Sequence, residues 1–202
     1  MFDAKFRPLI DRVLDPVGRW LARYGITANY ITCAGACFGL LAFILIAIDQ
    51  AFIGLWMIIL NRLADGLDGA VARASGPTDF GGYLDLVVDF IFYSAIPLAF
   101  AIANPDHAIA ACFLCVSFMG TASSFLGVAI LAAKYNIRTE VRGKKSFFHL
   151  GGLTEGFETI LFLCAMAMWP NYFAHLAWGF GMLCWVTTGM RIYMAHSMFG
   201  AR

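Results

Sequence analysis

The apolar positions of this chain do not recur on one face; they run almost unbroken in six stretches, at roughly 28–48, 51–74, 81–103, 108–133, 150–169 and 171–194. Each is near the ~20 residues that a helix needs to cross the hydrocarbon core of a bilayer. Polar and helix-breaking residues separate them, around Asp49-Gln50, Ser75-Gly76-Pro77, Asn104-Pro105 and Trp169-Pro170. Residues 1–25 are patterned differently, with Lys5, Arg7, Arg12, Arg19 and Arg23 set among Phe2, Phe6, Leu9, Ile10, Val13, Leu14, Trp20 and Leu21. Charge and apolar residues in alternation predict an amphipathic helix lying in the membrane interface. A cleaved signal peptide would need an unbroken apolar core and a small-residue cleavage site, and neither is present. The expected fold is therefore an all-α membrane protein of one domain, residues 1–202, with an interfacial helix over 1–25 and a six-helix transmembrane bundle over 26–202.

Composition agrees with that reading. Hydrophobic residues make up 61% of the chain and charged ones 13%, where soluble domains carry about a quarter charged residues. Membrane lipids are expected partners and nucleic acid is not. The six cysteines all fall inside apolar stretches, where a thiol behaves as a small hydrophobe, and all six are expected to pack. Cys112 and Cys115 have the spacing of metal ligands but lack a second pair.

The net charge of +1 says less than where the 14 basic residues stand. They fall in the N-terminal segment, near the 2–3 turn at Arg73 and Arg62, in the 4–5 loop with Lys134, Arg138, Arg142, Lys144 and Lys145, and at Arg191 and Arg202. The opposite connections hold no Lys or Arg. Short cytoplasmic loops collect basic residues, so both termini are expected in the cytoplasm.

Candidate chemistry is concentrated between Asp65 and Asp89, where the chain reads DGLDGAVARASGPTDFGGYLDLVVD. Asp65 and Asp68 are three apart, Asp85 and Asp89 four apart, so each pair shares a helix face. Ser75-Gly76-Pro77 breaks the second span and Thr78 or Asp79 caps the third, which predicts a tight hairpin with the two pairs at similar depth. Charged aspartates in a membrane helix cost about 2.5–3.5 kcal/mol each, so four together would burden the fold by roughly 10 kcal/mol if left uncompensated. Arg62 and Arg73 are too few. Two Mg²⁺ or Mn²⁺ ions would balance the charge and bridge substrate phosphates. Gly66, Gly69 and Gly81, interleaved with the aspartates, leave room for a ligand. A second polar cluster, Lys144 and Lys145 followed by Glu155 and Glu158, starts the fifth span, where the glutamates either serve a substrate or pair with Lys145 or Arg191.

Asp65, Asp68, Gly69, Ala72, Arg73, Gly81, Asp85 and Asp89 match the motif D-x-x-D-G-x-x-A-R followed by G-x-x-x-D-x-x-x-D. In this the chain resembles the CDP-alcohol phosphotransferases. Gly25-Ile-Thr-Ala-Asn29 resembles a further family element, with Ala28 in place of the usual proline. The resemblance implies transfer of a phosphoalcohol group, usually phosphatidyl, from a CDP-linked lipid such as CDP-diacylglycerol to a small alcohol, with CMP leaving. It implies Asp65, Asp68 and Asp85 as metal ligands and Asp89 as general base that also touches metal. Asn29, Gly69, Arg73 and Thr78 would bind the donor, and the enzyme would be a homodimer in phospholipid synthesis, in the bacterial inner membrane.

Lys144, Lys145, Glu155, Glu158 and Arg191 are candidate acceptor-binding residues. The two glutamates would repel a dianion, which favours a polyol or amino alcohol over glycerol phosphate or inositol phosphate. A metal-dependent transporter would also carry intramembrane carboxylates, but spread along a path, whereas these fall within one short segment. Intramembrane prenyltransferases use two aspartate motifs far apart in sequence. The orientation has a direct check in intact cells: an impermeant thiol reagent is expected to label a cysteine placed at position 105 and to spare one placed at 140. The reverse pattern would contradict cytoplasmic termini.

Overall fold

The computed structural model describes residues 3–135 and 152–200. Seven helices follow one another: α1 (Asp3–Arg23), α2 (Ala28–Ala47), α3 (Ala51–Ser75), α4 (Asp79–Ala103), α5 (Ala108–Lys134), α6 (Gly156–Met168) and α7 (Phe173–Phe199). Single 3₁₀ turns at Pro105–His107 and Pro170–Tyr172 introduce α5 and α7, and there is no strand among the described residues. Arg138, Arg142, Lys144 and Lys145 lie outside them.

By length and apolarity α2, α4 and α5 with its leading turn can each cross a membrane. At 25 residues α3 is long enough, but it carries Arg62, Asp65, Asp68 and Arg73. α6 and α7 meet the criterion only as a pair, and they are bent 116° from each other at Trp169. The stretch expected as a helix over 150–169 begins only at Gly156, because Glu155 is held extended as its N-cap. Thirteen residues span roughly 20 Å at 1.5 Å per residue, short of the ~30 Å hydrocarbon core.

The core lies in the half of the bundle away from the aspartates, where Ile46, Ile58, Ile96, Leu114, Leu163, Met166, Phe173 and Phe180 are fully buried. Aromatic pairs stitch it together, Phe100 on Phe173 at 4.5 Å and Phe162 on Phe180 at 4.4 Å between ring centroids. The cysteines do not all join this core. Cys184 is buried, but Cys33, Cys37 and Cys112 are exposed, because their positions on α2 and α5 fall on the apolar outer faces. An outward face is as apolar as an inward one in a membrane protein, so hydrophobic surroundings in the sequence do not distinguish them.

The turn between α3 and α4 is as short as expected, with Gly76 at φ +98°, a conformation that side chains disfavour. Thr78 caps α4, its hydroxyl accepting the Gly81 N–H at 3.0 Å. The two helices then diverge instead of packing along their length, and α2 packs against both. Small residues make that possible: a Cβ built on Gly35 would lie 3.2 Å from Ala64 Cβ, and one on Gly39 3.0 Å from the Phe92 ring. Repulsion among carboxylates on facing sides of α3 and α4 works against closure of the hairpin, and α2 supplies the floor of the cleft.

α1 is pinned across α3 at Gly18, where a Cβ would meet Ala70 backbone and side-chain atoms at 2.7 Å. Ala70 backbone cannot yield, so Gly18→Leu is expected to lift α1 from α3. Overpacking of this kind costs about 1–3 kcal/mol. Faster tryptic cleavage at Arg12, Arg19 and Arg23 in detergent would report it; a cleavage rate equal to the parent's would contradict the packing.

Candidate active site

Helical spacing delivers the aspartates to the cleft. Asp65 lies ten residues before the end of α3 and Asp89 ten residues after the start of α4, so at 1.5 Å per residue both stand roughly 15 Å from the turn. Carboxylate oxygens of Asp65, Asp68 and Asp85 come within 4.8 Å of one another. The recess around them is lined by Thr32, Gly35, Asn61, Arg62, Val88 and Asp89 as well.

Asp68 is the most buried of the four, at 6% exposure. The Thr32 hydroxyl on α2 donates to its Oδ2 at 2.6 Å, which fixes the carboxylate while leaving its second oxygen for another partner. Three carboxylates that converge without a cation among them repel one another strongly in an apolar setting. The donor set is all hard oxygen, which suits a divalent ion such as Mg²⁺ or Mn²⁺.

Asp89 lines the same recess, but its carboxylate oxygens are held by other partners. Arg62 Nη2 donates to its Oδ1 at 2.8 Å, and the Tyr93 hydroxyl donates to its Oδ2 at 3.2 Å. Arg62 also reaches Asp65, at 3.7 Å. Its Nε donates to Asn61 Oδ1 at 2.7 Å, and Asn61 in turn donates to the Gly35 carbonyl at 2.8 Å. The guanidinium lies over the Phe92 ring, 4.7 Å from its centroid. Thr32, Asn61, Arg62 and Tyr93 were not among the site residues expected from sequence. Their positions do carry a signal, since Arg62 is three residues before Asp65 and Tyr93 four after Asp89, one turn along the same faces.

The residues expected to bind the donor fall in two places outside the lining of the recess. A Cβ built on Gly81 would sit 2.9 Å from the Thr78 hydroxyl and 3.1 Å from Asn29 Oδ1, so α2 and α4 bring these polar groups together. On the other side, Gly69 leaves space beside Arg73 Nη1, 3.4 Å from where its Cβ would be. The Arg73 fork points to α1, where Nη2 pairs with Asp11 at 2.8 Å and Asp15 at 2.7 Å.

The second polar cluster is built differently. Glu155 and Glu158 form a reciprocal capping box at the start of α6, each side chain accepting the other residue's backbone N–H. Glu155 also accepts from Gly152 N at 3.3 Å. Arg191 on α7 is buried, donates to the Thr121 carbonyl at 2.8 Å and feels the attraction of Glu155, while its Nε has no hydrogen-bond partner among the described residues. The Thr187 hydroxyl accepts both the backbone N–H and the hydroxyl of Thr154, so this corner ties α7 to the segment before α6.

Comparison with known proteins bears on what such a cleft does. The chain is 44% identical over 197 residues to the inner membrane protein YnjF of Escherichia coli, covering 97% of this chain and 96% of that one. It is 32% identical over 102 residues to archaetidylinositol phosphate synthase of Pyrococcus horikoshii, half of each chain. Its fold matches the crystal structure of Mycobacterium tuberculosis phosphatidylinositol phosphate synthase with CDP-DAG bound, at a TM-score of 0.72 and 24% identity over 92% of this chain and 94% of that one. The CDP-alcohol phosphatidyltransferase profile matches residues 25–194, which include the whole aspartate motif and helices α2 to α6. The chain belongs to the CDP-alcohol phosphatidyltransferase family.

Proposed function

We propose that this chain transfers a phosphatidyl group from CDP-diacylglycerol or a similar CDP-linked lipid to the hydroxyl of a small alcohol, releasing CMP. The observation that carries the reading is the single cleft in which Asp65, Asp68, Asp85 and Asp89 meet, with Asn29, Thr78, Gly69 and Arg73 around its mouth. In this reading Asp65, Asp68 and Asp85 hold divalent metal, and when bound it neutralises charge on the donor phosphates. Asp89, kept near that group by Arg62, takes the acceptor proton. The acceptor oxygen bonds to phosphorus as the bond from phosphorus to CMP breaks. Arg73 can exchange its α1 carboxylates for a donor phosphate, which its planar fork fits in bidentate fashion.

Charge supports two ions over one. The four aspartates outweigh Arg62 by three negative charges, so a single divalent ion leaves a net negative cleft that would repel the donor's pyrophosphate, while two make it attractive.

The membrane arrangement we propose has six crossings, α2 to α7, with α1 in the interface and both termini cytoplasmic, in a bacterial inner membrane as the name of the Escherichia coli relative suggests. For the assembly we propose a homodimer, which rests on the resemblance to the family alone. A transporter built on the same carboxylates has no support from the family that the chain belongs to.

For the acceptor, the capping box turns the Glu155 and Glu158 carboxylates to backbone N–H groups, which screens their charge without cancelling it and weakens the argument that they would repel a dianion. A different argument favours the same class. Among the described residues the two arginines at the cleft already face carboxylates, Arg62 facing Asp89 and Arg73 facing Asp11 and Asp15, and Arg191 on α7 feels the charge of Glu155. A polyol or amino alcohol needs no further cation. The second reading, a phosphorylated acceptor such as inositol phosphate or glycerol phosphate, draws on the buried Arg191 Nε without a partner and on the inositol phosphate named in two similar proteins.

Two measurements test this. Purified enzyme with CDP-diacylglycerol is expected to release CMP only with Mg²⁺ or Mn²⁺, and Asp68→Asn and Asp89→Asn to lose about two orders of magnitude or more, because an amide cannot replace a carboxylate's charge on metal or accept a proton. Release at near the parent rate from Asp68→Asn would refute the metal assignment. With the donor fixed, serine, ethanolamine, choline, glycerol or inositol is expected to support more CMP release than glycerol phosphate or inositol phosphate. Turnover confined to the phosphorylated pair would establish the second reading.

A further inference from the structure

We propose that Arg62 is a positioning residue for the transfer step, holding the Asp89 carboxylate together with Tyr93 so that Asp89 meets the acceptor hydroxyl in one fixed orientation. The inference rests on the reading of Asp89 as the group that takes the acceptor proton. Three observations carry it.

The first is how the carboxylates are divided. Asp65, Asp68 and Asp85 converge as a group, whereas each oxygen of Asp89 already has a donor, Arg62 on Oδ1 and the Tyr93 hydroxyl on Oδ2. A carboxylate oxygen accepts two hydrogen bonds, so both contacts fix the rotamer and still leave a site on each oxygen for the acceptor. The second is that Arg62 is itself immobilised. Asn61 holds its Nε and is anchored to α2 at Gly35, Phe92 lies beneath the guanidinium plane, and Nη1 reaches the Tyr93 hydroxyl at 3.3 Å. An arginine used only to offset charge needs none of this. The third is selectivity within the cleft: Arg62 is one turn from Asp65 on the same helix, yet lies 3.7 Å from it and 2.8 Å from Asp89 across the cleft. Lysine, a point charge on a flexible stem, could not hold Asn61, Tyr93 and Asp89 at once.

The experiment uses the full-length enzyme purified in detergent, CDP-diacylglycerol, Mg²⁺, and one acceptor mixture of glycerol, inositol, serine, ethanolamine, choline, glycerol phosphate and inositol phosphate. Arg62→Gln is expected to lower kcat by about 100-fold, the scale of a misplaced general base, with a smaller rise, up to about tenfold, in KM for CDP-diacylglycerol from the lost positive charge. Arg62→Lys should fall between them, and Tyr93→Phe should lose only a few-fold in kcat. Two readouts separate positioning from support of the fold. Mn²⁺ binding, followed by the electron paramagnetic resonance of the free ion, should stay within about threefold of the parent in Arg62→Gln. Added guanidinium, but not urea, should restore CMP release to Arg62→Ala by roughly tenfold, as a planar cation refills the vacated place. Near-parent kcat in Arg62→Gln overturns the inference, as does a loss that comes with lost Mn²⁺ binding and no response to guanidinium. A parent enzyme that releases no CMP from this mixture refutes the transfer reading itself and the inference with it; an active parent beside an equally active Arg62→Gln refutes the inference alone.

Discussion

Everything at the heart of this molecule follows from placing four carboxylates in apolar helices. Left to themselves they would cost roughly 10 kcal/mol, comparable to the whole stability of a domain. The fold meets that cost locally. Thr32 hydrogen-bonds Asp68, Arg62 pairs with Asp89, and Asn61 braces Arg62 against the backbone of α2. None of these partners is on α4, and two of the three are on α3 itself, so the compensation depends on α2 lying close beneath both aspartate helices. That closeness depends in turn on Gly35 and Gly39. A chain of physical necessity thus runs from small residues on α2 to a cleft that remains open between α3 and α4.

At the mouth of the cleft the same problem has a softer solution. Arg73 is partly exposed and so are Asp11 and Asp15, and an ion pair under those conditions contributes only about 0.2–1 kcal/mol. In the donor-binding role proposed for Arg73, weak pairing lets it change partners, since a donor phosphate would present denser charge than either carboxylate. The pair also connects α1 to the helix bearing Asp65 and Asp68, with Gly18 against Ala70 a short distance away. α1 is therefore coupled to the cleft both by packing and by charge.

How much of this was legible in the sequence differs from residue to residue, for physical reasons. Asp65, Asp68 and Asp85 were legible because i, i+3 and i, i+4 spacing fixes which side chains share a face, and a short turn fixes their common depth. Arg62 was visible as a charge but not as a partner of Asp89, because a contact between residues 27 apart depends on how far two helices splay. Splay is set by α2, which no local pattern describes. The glutamates carry two signals at once. Glu155 and Glu158 have the N-cap to N3 spacing of a capping box, but the cap position is usually Ser or Thr, and an intramembrane glutamate invites a functional reading first. The exposed cysteines were illegible for a third reason, that lipid-facing and buried positions are equally apolar.

Burial of a charged residue is then a poor guide to its role, as two arginines make plain. Arg62 and Arg191 are both enclosed and each has a carboxylate nearby. What differs is what the remaining donors reach. Of the donors of Arg191, Nη1 goes to the Thr121 carbonyl, a main-chain group within α5, Nε has no partner among the described residues, and the nearby Thr154 and Thr187 bond to each other. Groups of that kind hold helices together whatever the cleft contains. Those of Arg62 go to Asn61, Tyr93 and Asp89, all side chains, and two of them face the group of aspartates across the recess. A side-chain network suspended over an opening does more than fill space, because apolar residues of the same volume would leave the Asp89 carboxylate uncompensated. In the proposed reading the chemistry is concentrated in α2, α3 and α4, and the described residues of α5 to α7 form the frame against which those three helices are held.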